Sequence, residues 1–179
     1  MLSTLAAMGQ PMIYMGQEFN VERERNFVTV QWPDNLGQHG FFQWTRRLIQ
    51  VRKRYPGLKL SGYNPVEDGR FAFIIAPWLA GNRGGGQRMI GWRSRPNNLP
   101  TDTLVVMLNF ENHDVAVDVD FGIPGIWLKL ADIDFVNDIP PHGNNSTADP
   151  TALHTNDGNF GNFNLPSSSG FIYKWEAAF

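Results

Sequence analysis

Residues Thr103 to Phe110 read TLVVMLNF, and this run limits the fold more than any other part of the chain. It is almost continuously apolar, so it does not alternate between a wet and a dry face. A strand of this kind belongs in the centre of a sheet, with cover on both sides. Its surroundings carry period-two signals. Phe71 to Ala76 and Met89 to Arg93 flank a glycine-rich segment. Val115 to Phe121 alternates, with Val115, Val117, Val119 and Phe121 directed inward and Asp118 and Asp120 toward water. Ile126 to Leu130, Ile133 to Val136 and Gly170 to Trp175 bring the total to roughly seven or eight short strands, the density of an antiparallel β-sandwich. From Asn137 to Ser169 the chain is rich in Asn, Asp, Gly and Ser without a repeat, which predicts ordered loops.

Before residue 59 the pattern is different. Ser3 to Met8 reads as the tail of a helix stopped by Gly9 and Pro11, and Met12 to Met15 as a fully buried strand. Phe41, Trp44, Leu48, Val51 and Tyr55 recur at three- and four-residue steps along one face of a helix, with Arg46, Arg47, Gln50 and Lys53 on the other. Pro56-Gly57 ends it. The chain of 179 residues is long enough for one ordinary domain, or for one domain plus a fragment of another. It divides into a helix-strand-helix part, residues 1–58, and an all-β part, residues 59–179, expected to fold cooperatively by itself from about Gly62 onward.

Composition narrows the partners. A net charge of -2 with 18% charged residues gives no basic surface for nucleic acid or an anionic membrane. A neutral partner is therefore expected. Aromatics at 13%, six of them Trp counted within that share, suit both sheet cores and the faces of sugar rings. No disulfide can form, because the chain has no cysteine. No stretch has the length of a membrane span or the pattern of a secretory signal, which leaves the compartment open with the cytoplasm slightly favoured.

The stretch GQPMIYMGQEF, Gly9 to Phe19, resembles the eighth barrel strand of the α-amylase family of glycoside hydrolases and transferases (glycoside hydrolase family 13-like), enzymes built on a (β/α)8 barrel that act on starch- and glycogen-like α-glucans. Two further features agree with it. LIQVRKRYPGL, Leu48 to Leu58, looks like the final barrel helix, and the β-rich remainder is similar to the C-terminal all-β domain. The wording MGQEF leans toward branching-enzyme-like members. The resemblance implies a mainly β fold, an antiparallel β-sandwich preceded by a helix-strand-helix remnant of the barrel.

It also implies an absence. The family's catalytic carboxylates come from earlier barrel strands, and retaining chemistry needs two carboxyl groups about 5–5.5 Å apart on the barrel rim. No catalytic residue is therefore expected in this chain, which reads as the end of an α-glucan-active hydrolase or glucanotransferase whose catalytic barrel lies upstream. Glu18 would be an inherited rim position, able to touch substrate in a whole barrel. Glu111-Asn112-His113-Asp114 reads like the family's strand-seven signature, but it follows the strand-eight stretch and is expected to be a polar connection between paired strands. Gly81 to Gly86 lacks the Gly-Lys-Ser/Thr of a phosphate cradle and reads as a hairpin loop.

The alternative function is a non-catalytic module that binds glucan by stacking sugars on exposed Trp78, Trp92, Trp127 and Trp175. No cofactor or metal is expected. His39, His113, His142 and His154 lack ligand spacing and read as surface residues, and Asp132, Asp134, Asn137, Asp138 and Asp157 are explained as turn formers. A lone barrel strand and the apolar stripe of the last helix would be left uncovered, so a homo-oligomer formed through this exposed remnant is expected.

Overall fold

The computed structural model describes residues 1–13, 17–19, 34–60, 68–76, 88–137 and 152–178. Two α-helices come first, α1 (Leu2–Ala6) and α2 (Gly40–Arg54). The strands are β1 (Phe71–Ile75), β2 (Met89–Ser94), β3 (Leu104–Asn109), β4 (Val115–Asp120), β5 (Gly125–Ala131), β6 (Ala152–Thr155), β7 (Asn159–Leu165) and β8 (Gly170–Ala177). Six form one antiparallel sheet in the order β1-β2-β3-β8-β5-β6, and β4 pairs with β7 in a two-stranded antiparallel ribbon. The fold is thus mainly β and antiparallel, as the strand pattern implies.

The apolar run becomes β3, paired with β2 on one side and β8 on the other. All of its residues are buried, and the strand serves two cores. Leu104, Val106 and Leu108 pack with Phe71, Trp92 and Ile172 on the face covered by the helices. Val105 and Met107 point the other way, into a core with Val117, Val119, Phe121 and Leu165 of the ribbon side. Alternation in β4 follows its sequence pattern, with Val117 and Val119 buried and Asp118 exposed, although Val115 is only half-buried.

Helices supply the third layer. His39 caps α2, its Nδ1 accepting the Phe42 N–H at 3.3 Å, so this histidine has a structural task at the helix start. Leu48 and Val51, at 1% and 0% exposure, enter the same core as Leu2, Leu5 and Ala6 of α1. Pro56-Gly57 then lies flat on the sheet: a Cβ at Gly57 would come within 2.8 Å of both Leu104 Cδ1 and Ser94 Oγ. Of the apolar stripe expected to stand uncovered, Leu48 and Val51 are therefore buried within the chain, and Phe41, Trp44 and Tyr55 are half-buried. This takes away part of the surface through which self-association was expected, because the six-stranded sheet is apolar on both faces and takes the helices on the one that the ribbon leaves free; Met12 of the opening stretch stays exposed.

Local expectations fail in three places. Ile133 to Val136 is no strand; only Val136 makes a bridge, to Ala131, because Asp132 turns the chain by accepting the N–H groups of Asp134 and Phe135 at 2.9 and 2.7 Å. The region expected to hold only loops, Asn137 to Ser169, contains β6 and β7. Phe160 and Phe163 of β7 are three apart, and a bulge opposite Asp118 lets both face the core: Asn162 adopts φ 51° and donates its N–H to Asp118 Oδ1 at 2.9 Å. That bulge hides the period of two. Lastly, Pro11 to Ile13 forms no strand and Met12 is 82% exposed, since the described residues give it no neighbour to pair with; Tyr14 and Met15 lie outside the described residues. So do Gly81 to Gly86, in the connection between the antiparallel neighbours β1 and β2.

Leu48→Ala is expected to lower stability by about 2–5 kcal/mol, as emptying a buried leucine site does. Arg47→Ala, on the exposed face of α2, should stay within about 0.5 kcal/mol. Urea melts of the two variants check this.

Candidate functional site

Arg52 organises the segment that leads to Glu18. Thr45, Leu48 and Arg52 share the buried side of α2, and a guanidinium can be accommodated there only if its N–H groups find acceptors. They do. Nη1 donates to the carbonyls of Leu5 and Ala7 at 2.7 and 2.8 Å, and Nη2 donates to that of Gly9. These carbonyls belong to the end of α1 and the turn beyond it, where helical partners run out. A cation at a helix C-terminus also meets the negative end of its dipole. Arg52 escapes a search for the apolar stripe, but its position seven residues after Thr45 and four after Leu48 places it on the same face.

Glu18 sits in a single 3₁₀ turn, Gln17–Phe19, that packs against α2 and leaves the carboxylate half-buried. The tryptophans go elsewhere. Trp92, Trp127 and Trp175 are 5%, 0% and 9% exposed, so none presents a ring face to solvent. Trp127 meets Phe121 edge-on at 4.8 Å, and the indole N–H of Trp175 donates to the Pro124 carbonyl at 2.9 Å. Trp92 stacks near Phe71 in the helix-side core, where its N–H has no partner among the described residues. Inward positions on these strands account for all three. Trp78 lies outside the described residues.

The Glu111 to Asp114 segment connects β3 to β4, which lie in different sheets, so it is a crossover and not the hairpin expected between paired strands. Its acids hold loops together. Glu111 Oε1 accepts the Arg88 N–H at 3.1 Å, and Asp114 Oδ1 accepts the Ser167 N–H at 2.9 Å. Beneath them the buried Asn109 carboxamide donates to the carbonyls of His113, Leu165 and Pro166 at 3.1, 3.0 and 2.9 Å. Among the described residues no three or more His, Asp or Glu side chains converge as a metal site would require.

One concave site was not legible beforehand. A groove of about 430 Å³ runs between the start of α1, the first turns of α2 and the end of β3, bordered by Phe41, Trp44, Phe110, Ile133, Ser3 and Ser168. Phe41 and Trp44 stack at 5.6 Å with ring planes 20° apart. The Trp44 indole N–H donates to the Asp132 carbonyl at 3.0 Å, which fixes the ring. Asp132 itself is anchored by Lys129 Nζ at 2.7 Å. Burial pushes its carboxyl upward, but hydrogen bonds from Lys129 and from the Asp134 and Phe135 amides outweigh this and hold it below its ordinary range.

No family model and no curated protein matches the chain. Solved structures do. The pullulanase from Bacillus acidopullulyticus superposes with a TM-score of 0.65 at 14% identity, over 97% of this chain and 19% of that one. A pullulanase from Anoxybacillus sp. LM18-11, complexed with maltotetraose, gives 0.62 at 13% identity, over 98% and 22%. The debranching enzyme from Nostoc punctiforme gives 0.54 at 20% identity, over 97% and 29%. The chain spans less than a third of the length of each. At these identities the likeness is one of fold: the mainly β, antiparallel segment with its helical layer is an architecture present in pullulanases and a debranching enzyme. These are not branching enzymes, so the leaning drawn from MGQEF has no counterpart among them.

If Arg52 holds the end of α1, Arg52→Lys, which keeps the charge but not the fork of donors, should open α1 and the Gly9 turn locally. Hydrogen exchange is expected to quicken at Leu5 and Ala7 while amides in the centre of β3 keep their protection.

Proposed function

We propose that the chain is the C-terminal segment of an α-glucan-active enzyme, of a type closer to pullulanases than to branching enzymes, and that it contributes no catalytic carboxylate. Its task in this reading is mechanical. The β-sandwich covers the last helix of a (β/α)8 barrel, and Arg52 ties that helix to the stretch carrying Glu18, which would stand at the rim of the completed barrel and position substrate there.

The observation that carries the reading is the extent of the fold likeness. It takes in nearly the whole chain, helices included, where a free-standing sugar-binding module would be matched by its sandwich alone. Burial of Trp92, Trp127 and Trp175 also favours a scaffold over a module that stacks sugars on them. The motif Gly9 to Glu18 supplies the link to the barrel.

Two assays test it. This chain alone is expected to release no reducing sugar from pullulan or soluble starch above a buffer control, because a pair of carboxylates flanking the scissile bond cannot be assembled from one rim position. Release that disappears in Glu18→Gln or Asp114→Asn would overturn that part. A longer protein, read in frame from the coding sequence upstream of Met1, is expected to cleave or rearrange an α-glucan; an upstream frame with no barrel and no such activity would overturn the reading as a whole.

A further inference from the structure

We infer that the groove between α1, α2 and the end of β3 is a binding site for a short neutral saccharide. Its size, about 430 Å³, is that of a small-molecule site, roughly 300–1,000 Å³. Its walls are chemically selective. None of the side chains bordering it is an acid, a lysine, an arginine or a histidine; the one ionisable group at its edge is the α-amino group of Met1, whose burial lowers its pKa and so favours the neutral amine.

Flat apolar surface is present in the form that sugar rings use. Phe41 and Trp44 stack with nearly parallel planes, and neither ring is fully covered. Phe110, directly after β3, is 55% exposed even though it borders the groove. Polar groups stand beside these rings. Ser3 makes no side-chain hydrogen bond among the described residues, and the Ser168 hydroxyl reaches its acceptor, the Glu111 carbonyl, only at 3.5 Å. A wholly apolar occupant would cover both hydroxyls without satisfying them. A ring with apolar C–H faces and a girdle of hydroxyls meets both requirements at once.

The site is also held in shape before any ligand arrives. Trp44 is fixed through the Asp132 carbonyl, and the Phe110 N–H donates to the Arg88 carbonyl at 2.9 Å, so little ordering remains to be done on binding. The assignment to an α-linked saccharide, such as maltotriose, rests on the proposed function; the groove's preference for a neutral sugar does not.

The test is a titration of the full chain with maltotriose, followed by the indole N–H resonance of Trp44, assigned by its loss in Trp44→Phe. Phe110→Ala, at an exposed position, is expected to fold normally. Maltotriose should shift the Trp44 resonance, and Phe110→Ala should weaken binding about three- to tenfold, the range of one aromatic contact. Cellotriose should bind more weakly; equal binding of the two at Trp44 would support the groove as a sugar site and overturn the α-linked assignment. Maltotriose binding that leaves Trp44 unmoved and is indifferent to Phe110→Ala would overturn the groove while leaving the proposed function standing. No shift up to the solubility limit of the sugar, or a Trp44 shift that follows protein concentration instead and so marks a second copy in the groove, would overturn the inference.

Discussion

Two-sided burial of β3 is the constraint on which the rest of the structure depends. A strand reading Leu-Val-Val-Met-Leu has no polar face, so the sheet that contains it needs cover above and below. The chain provides two different covers. On one face β4 and β7 make a ribbon whose Val117, Val119, Phe121 and Leu165 close the aromatic core around Trp127 and Tyr173. On the other face the cover is helical, and it comes from the part of the chain that resembles the end of a barrel. That helix-side core has two owners in sequence: Leu48, Val51 and Leu58 before the compositional boundary, and Leu104, Val106, Leu108 and Ile172 after it.

Arg52 makes the helical cover a defined layer. Apolar contact alone fixes neither the direction nor the register of a helix as short as α1. Three carbonyls bound to one guanidinium do so, because they specify where α1 ends and where the chain turns at Gly9 toward Pro11 and Glu18. The same junction shapes the groove, since the start of α1 and the first turns of α2 form two of its borders. Stability and the candidate binding surface thus share one set of contacts.

Much of this was legible in the residues. The central strand, the alternating β4 and the stripe on α2 are direct expressions of burial and were readable as periods. What escaped did so for local reasons. The Asn162 bulge breaks the alternation of β7, and its Asn and Gly content imitates a loop. Ile133 and Phe135 look like strand residues but flank a turn dictated by the Asp132 carboxylate. Trp92, Trp127 and Trp175 could be inside or outside on composition, and only the register of each strand puts them inside. The groove was invisible because Ser3, Phe41, Phe110 and Ser168 are brought together from four separate parts of the chain: α1, α2, the end of β3 and the turn between β7 and β8.

Against the independent folding expected from about Gly62 onward, the helical and β parts share the helix-side core and are expected to form one folding unit. Each large apolar side chain uncovered there would forfeit about 1.5–3 kcal/mol, and losing the cover over Phe71, Trp92, Leu104, Val106, Leu108 and Ile172 together would cost about 9–18 kcal/mol, on the scale of the whole net stability of an ordinary domain, about 5–15 kcal/mol. The most direct measurement is the thermal melt of a chain beginning at Lys59, followed by near-ultraviolet circular dichroism with ANS binding alongside. The account predicts no cooperative transition and strong ANS fluorescence. A cooperative melt close to that of the whole chain, without ANS binding, would show that the sandwich stands alone and would contradict it.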